Sequence, residues 1–451
     1  MQKRGITRIV CTALCAALAF ALPGCGPAEQ QTASTPPSET QSAANEPVTL
    51  EFWDMAWGPA EKYPVVAEEI IAKYKEAAPH VTIKYTNLPW SNWFETYSTA
   101  VASNGAPDVA TGGGYMPFQF APKGESADLQ WILDEWEKEG ALGDFPEGFV
   151  EYFTWQGRQV GIPYNFSPRC IFIRKDWLEE KGLQEPKTWD EFIQMCKAFT
   201  DKEKGIYGFA FGVTNNAGGS FTQWAINNGG FTYDKEGNAA LNSESNLETM
   251  RFFSRMKQEG ILPEGIENYT GDDAQKLFGA GRLGAIYGAS DWIVNSTTGD
   301  VSRDQVLVLH PLESPSGLQK NCIFINGYMM FEQSDQKDEG MKFLKWWSEN
   351  NADLWEKGGM GSFPTRQSFL DTLEVLKTPV VKQPFTEYII PDSVQTVYPM
   401  QNGTPSAAVV EGQGYDKQLI QSALTQDEAQ WKELLNKLND ELAGLIAEMD
   451  Q

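Results

Sequence analysis

The chain has 451 residues, with 36 Lys+Arg against 61 Asp+Glu, two histidines, six cysteines, 15 Trp, 15 Tyr and 25 Phe. A formal charge of −25 excludes nucleic acid as a partner, because phosphate binding needs a basic face. His80 and His310 leave little material for a His-based zinc site or a Ser-His-Asp relay, and 41% hydrophobic residues exclude a disordered chain.

Lys3, Arg4 and Arg8 precede an apolar run from Ile9 to Leu22. At about 1.5 Å per residue that run spans roughly 21 Å, short of a ~30 Å hydrocarbon core, so it reads as the core of a secretory signal peptide over residues 1–24. It ends in Leu22-Pro23-Gly24-Cys25, which resembles a bacterial lipobox with Pro23 as a departure. Cys25 is therefore the expected lipidation site, an acyl (palmitate-type) anchor; an ordinary signal with an incidental cysteine is the alternative. Residues 25–47, rich in Gln, Ser, Thr, Pro and Ala, form the anchored cysteine and a flexible tether. Without the signal, 33 basic side chains face 61 acidic ones, a formal charge of −28. Cys170, Cys196 and Cys322 remain, with room for at most one disulfide and buried free thiols as the default. No CxxC, HExxH, GxxxxGK[ST] or GxSxG sequence occurs, and no cofactor is expected.

Val48, Leu50 and Phe52 alternate with Thr49 and Glu51, predicting a strand that ends at Trp53. A helix is predicted over about 61–77, with Tyr63, Val66, Ile70 and Tyr74 on one stripe, and Val81, Ile83 and Tyr85 predict a second strand. A helix over about 91–103 and a third strand leading to Gly112-Gly113-Gly114 follow. Strand-helix repetition of this kind predicts a parallel sheet, whose ligands bind beyond the carboxyl ends of the strands. The loops at that edge carry Trp53, Asp54, Trp57, Trp90 and Tyr115. A flat ring with one polar handle suits the C–H face of a sugar. Trp93, Trp131, Trp136, Trp346, Trp347 and Trp431 sit on helical stripes and read as core.

Further motifs follow in chain order: Gly105-Ala106-Pro107-Asp108-Val109, Trp155 to Tyr164, Ile171 to Leu178, Lys187-Thr188-Trp189-Asp190-Glu191-Phe192, Phe278 to Ala285, Asp291-Trp292 and Gly358 to Arg366. In these segments, and in their order, the chain resembles the family-1 extracellular solute-binding proteins that serve bacterial ATP-driven sugar importers. Val160 and Arg174 replace the commoner aromatic and Asn. Physically, Thr188 with Glu191 is a capping box for a helix, and the glycines from 279 to 284 turn a helix into a strand that delivers Ser290, Asp291 and Trp292.

The resemblance implies an α/β, two-lobe periplasmic-binding-protein-like fold with an interlobe ligand cleft and hinge crossings. Lobe 1 is expected to hold 48–164 plus 305–350, and lobe 2 to hold 165–304 plus 351–451. Crossings are expected near Asn165–Pro168, Ser302–Val306 and Asn350–Asp353, with Val306–Leu309 returning to lobe 1. The expected ligand contacts are Trp53, Asp54, Trp57, Trp90, Tyr115, Asn165, Trp224, Asp291, Trp292, Phe363 and Tyr398, with Asp54, Asn165 and Asp291 taking hydroxyls. His310 reads as a strand-end polar residue. The implied function is that of a monomeric substrate-binding lipoprotein of an ABC importer. It sits on the extracytoplasmic face of the cell membrane, held there only by its lipid, and passes a carbohydrate, expected to be an oligosaccharide, to permease subunits without a chemical step. A ligand-sensing module and a lipid-anchored glycoside hydrolase are the alternatives; for the second, no carboxylate pair stands out by spacing.

Overall fold

The computed structural model describes residues 46–214, 219–290, 300–377 and 383–450. Its strands are β1 Val48–Met55, β2 Val81–Leu88, β3 Val109–Gly113, β4 Thr154–Trp155, β5 Arg158–Gln159, β6 Ile162–Arg174, β7 Tyr207–Ala210, β8 Leu283–Ala289, β9 Val306–Val308, β10 Asn321–Met330, β11 Phe363–Pro364 and β12 Ser393–Gln395. β1 lies parallel between β2 and β3, with Val48 opposite Val81 and Phe52 opposite Val109. All five residues of β3 are buried, as expected of a parallel strand covered on both faces. β1 runs two residues beyond the predicted stop at Trp53, because Asp54 and Met55 still pair with Asn87 and Leu88 of β2.

The helix between β1 and β2, Tyr63–Ala77, buries Tyr63, Val66, Ala67, Ile70 and Tyr74, and Pro64 lies in its first turn, where a missing N–H costs nothing. Further on, Thr188 accepts from the Glu191 amide and caps the helix Trp189–Phe199. The reciprocal arm of the expected capping box is displaced: the Glu191 carboxylate takes the Lys187 amide instead.

β6 organises the molecule. Its first part, Ile162–Pro168, pairs antiparallel with β10, which also pairs with β3. Its second part, Arg169–Ile173, pairs with β8, and β8 is parallel to β7. One strand of 13 residues thus leaves the first strand set, β2-β1-β3-β10-β6, and enters the second, β6-β8-β7. The change of partner falls between Pro168 and Arg169. Two expectations about the other crossings need correction. β9 pairs with Phe172–Arg174 of β6, so Val306–Val308 still belongs to the second set, and the return comes only with β10. The periodicity of a buried strand does not say which sheet receives it. At the expected third crossing, Asp353 is ion-paired at 2.9 Å to Lys73 on the helix Tyr63–Ala77, so the chain there still packs on the first set.

The helix Lys337–Asn350 packs on the first set through Phe343, Leu344 and Trp347. The helix Glu428–Met449 buries Trp431, Leu435, Leu438 and Leu442 against Pro405–Gly412, Tyr415–Thr425 and Glu244–Gln258. Cys170, Cys196 and Cys322 are buried free thiols. No helix among the described residues is long and apolar enough to cross a membrane.

Candidate functional site

The carboxyl ends of β1, β2 and β3 lie at one edge, and β6 leaves the first strand set beside them. Gly114 makes that edge possible. A Cβ there would stand 2.0 Å from the Ile325 carbonyl oxygen of β10, so only glycine lets the β3 loop pass so close.

The β1 loop carries Trp57, which is half-buried. Its indole stands edge-on to Trp90, with centroids 4.8 Å apart, and edge-on to Tyr164 of β6 at 5.6 Å. The Trp57 Nε1–H donates to Thr111 Oγ1 at 2.9 Å, and the Trp90 Nε1–H donates to the Ala56 carbonyl at 2.9 Å. Both ring N–H groups are therefore satisfied by protein. Trp53 is half-buried too, edge-on to Tyr97 at 5.4 Å. Tyr115 is buried at 5% exposure and lies against Trp93 at 5.1 Å.

Asp54 is at 0% exposure, and its carboxylate is fully engaged. Thr111 Oγ1 donates to Oδ1 at 2.6 Å, and Tyr63 and Tyr85 donate to Oδ2 at 2.9 and 3.1 Å. Burial pushes its carboxyl up to about 6 against the pull of these donors. The expectation that Asp54 takes a ligand hydroxyl is therefore corrected: its lone pairs face inward. Trp224 is corrected as well. At 2% exposure it is packed among Trp189, Phe192, Phe209 and Phe252, with the Phe252 ring at 4.8 Å, so its faces belong to the core.

Asn165, at 0% exposure, lies on β6 opposite Asn326 and Pro364. Its Oδ1 accepts from Asn326 Nδ2 at 2.8 Å, while its Nδ2 has no partner among the described residues. Phe363 is 3% exposed, stacks on Phe166 at 5.6 Å and lies tilted against Phe385 at 4.9 Å. Tyr398 is half-buried, edge-on to Phe231 at 5.3 Å, with Lys320 Nζ 5.6 Å from its ring centre. Asp291 and Trp292 lie outside the described residues. The preceding Ser290, at the end of β8, donates to the Gly361 carbonyl at 3.3 Å, which brings the two strand sets together just ahead of β11.

Sequence reasoning missed a charged group at the strand crossing. Arg169, the first β6 residue of the second set, holds its guanidinium 4.2 Å over Phe324 and donates to Ser167 Oγ at 2.8 Å. Glu411, on the helix Pro405–Gly412, has its carboxyl pushed up to about 8, by burial first and by the Asp416 charge second, against the pull of Arg169. Asp416 accepts from the Phe221 and Thr222 amides at 3.1 and 2.8 Å. The Tyr115 and Tyr287 hydroxyls feel this group too: burial raises both, Glu411 raises Tyr115, and Arg169 lowers both. The signal was present as a lone charge in an apolar run, Arg169 within Ile162–Ile173 and Glu411 after Ala407-Ala408-Val409-Val410. Flat rings can stack on, and a guanidinium, carboxyls and phenols can hydrogen-bond, an uncharged polyhydroxylated molecule. No group of three or more His, Cys, Asp and Glu among the described residues is placed to hold a metal ion.

The sequence model of the bacterial extracellular solute-binding proteins matches residues 58–353. A sugar transporter from Arthrobacter chlorophenolicus A6, solved with bound laminaribiose, superposes with a TM-score of 0.78. It is 24% identical and covers 87% of this chain and 99% of its own. The maltose-bound MalE3 of T. maritima superposes with a TM-score of 0.72 at 21% identity, covering 88% of this chain and 100% of its own. These matches show the α/β fold of two-lobe sugar-binding proteins. In sequence, the fructooligosaccharide ABC transporter substrate-binding protein FusA of Streptococcus pneumoniae serotype 4 is 26% identical over 346 residues, 68% of this chain and 61% of that protein.

Proposed function

This chain belongs to the bacterial extracellular solute-binding protein family, and on that premise we propose that it captures a carbohydrate, an oligosaccharide, between its lobes and hands it unaltered to an ABC permease. The observation that carries this reading is the half-open corner of Trp57, Trp90 and Tyr164 at the strand ends beside the crossing of β6. Both its indole N–H groups are already bonded to protein, so what the corner offers a guest is apolar ring surface. The relatives bound to laminaribiose and maltose, and the fructooligosaccharide-binding one, support a sugar as that guest.

We place the first lobe on residues 48–164 together with β10 and the helix Lys337–Asn350, and the second on the strands that follow Arg169 together with the helices Tyr415–Thr425 and Glu428–Met449 that pack on Glu244–Gln258. Arg169, Glu411 and Asn165 are proposed to take hydroxyls, with Tyr115, Asp291, Trp292, Phe363 and Tyr398 as further contacts. Trp53 is assigned to support of the corner through Tyr97. A guest touching both lobes favours the closed form by its greater affinity for that form. Cys25 is the proposed anchor, holding the chain as a monomer to the extracytoplasmic face.

The test is thermal denaturation with laminaribiose, maltose and fructooligosaccharides, followed by chromatography of the recovered sugar. At least one should raise Tm and return intact. No shift from any sugar would remove the carbohydrate reading, and shortened products would favour a hydrolase.

A further inference from the structure

Trp57 is held by a chain of hydrogen bonds whose directions are fixed by donor count. Thr111 Oγ1 accepts the Trp57 indole N–H at 2.9 Å and the Met55 amide at 3.0 Å, which uses both of its lone pairs. Its own proton is thereby committed to Asp54 Oδ1, at 2.6 Å. The other carboxylate oxygen receives Tyr63 and Tyr85. With its proton spent on Asp54, the Tyr63 hydroxyl can only accept at its 3.0 Å contact with the Tyr164 hydroxyl on β6. Asp54 has no cationic partner among the described residues, and at 0% exposure it touches no solvent. A buried acceptor with only donors around it is costly to keep, and here it orders every group that reaches it.

We propose that Asp54 is a positioning residue: through Thr111 it fixes the plane of the Trp57 indole, and through Tyr63 it ties that indole to Tyr164 on the strand that crosses between the lobes. Asp54 itself contacts no ligand. The assignment rests on the carbohydrate reading of the Trp57 corner only for its consequence, tighter sugar binding, and not for its geometry. An asparagine at 54 would turn one of the two acceptor atoms into a donor, facing either Thr111 or the two tyrosines, and would break the chain on that side. The groups facing Asp54 from the neighbouring elements are Thr111 on β3, Tyr85 on β2, Tyr63 and Tyr97 on helices, and Tyr164 and Tyr328 on β6 and β10. Burial raises all five phenols above their ordinary range. Asp54 is then the one group of this cluster that titrates near neutrality.

The experiment labels the full chain with 5-fluorotryptophan and identifies the Trp57 line by its loss in Trp57→Phe. Fluorine spectra are recorded without sugar from pH 4.5 to 8 for wild type, Asp54→Asn, Thr111→Val and Thr111→Ser. The wild-type Trp57 line should move with a midpoint near pH 6. Thr111→Ser should keep that behaviour, Thr111→Val should shift or broaden the line, and Asp54→Asn should abolish the titration while the other indole lines stay in place. A Trp57 line identical in wild type, Thr111→Val and Asp54→Asn would overturn the proposal, and should Asp54→Asn fail to fold, Thr111→Val against Thr111→Ser decides it alone. Laminaribiose titration of the same proteins should show about a tenfold loss of affinity in Thr111→Val, the scale of one hydrogen bond, restored in Thr111→Ser. Failure of laminaribiose, maltose and fructooligosaccharides to bind the wild type would sink the carbohydrate reading and leave the fluorine result to judge the positioning role.

Discussion

At the scale of single residues, exposure separates the aromatics proposed for the site from those that build the core. Trp57 stands perpendicular to two protein rings and has its N–H satisfied, yet remains half-buried. Trp57→Ala should cost about 2 kcal/mol of sugar affinity, read by calorimetry, with little change in Tm without sugar; an unchanged Kd would remove Trp57 from the site. Asp54 makes a prediction about stability. Its carboxyl is raised from 3.8 to about 6, so the folded chain holds a proton that the unfolded chain releases. The stabilisation is complete below about pH 4 and is lost as the pH rises through 6, a difference of about 3 kcal/mol at most. Melting curves across this range should show Tm falling less steeply with rising pH in Asp54→Asn than in wild type; parallel profiles would count against the buried carboxyl. Glu411, raised to about 8, extends the same sign of dependence up to that pH.

Among the elements, β3 and its loop show how close packing constrains sequence. Gly114→Ala would drive a methyl group into the Ile325 carbonyl, and the backbone of β10 must move to accept it. A loss of about 2 kcal/mol or more in urea unfolding is expected, together with weaker sugar binding, since the displaced loop carries Tyr115. Retention of full stability would mean the loop yields freely. β6 does the opposite work. Its 13 residues serve two strand sets, which puts the proposed hinge at Pro168 and Arg169.

For the whole molecule, the proposed pair of lobes joined through β6 predicts closure on binding. The radius of gyration by solution scattering should fall when a sugar that raises Tm is added, and an invariant value would argue against hinge motion. The proposed lipid anchor makes its own prediction. Cys25→Ala should release sugar-binding protein from the membrane fraction, and continued retention would point to another attachment.

The sequence by itself determined the α/β class, the parallel order of the first strands and the glycine-bounded loops at their carboxyl ends. Each of these is written in local periodicity, which a reader can count over a few residues. Trp57 and Trp90 were legible for the same reason, as large rings at predicted strand ends. Only the tertiary structure decided the rest. Asp54 looks like a ligand contact until Tyr63, Tyr85 and Thr111, which lie 9, 31 and 57 residues further on, close around it. Trp224 looks available until four rings from three other segments enclose it. β9 reads as a returning strand until its partner proves to be the far part of β6. A side chain's availability and a strand's sheet are set by what distant segments bring to them, and no local pattern encodes that.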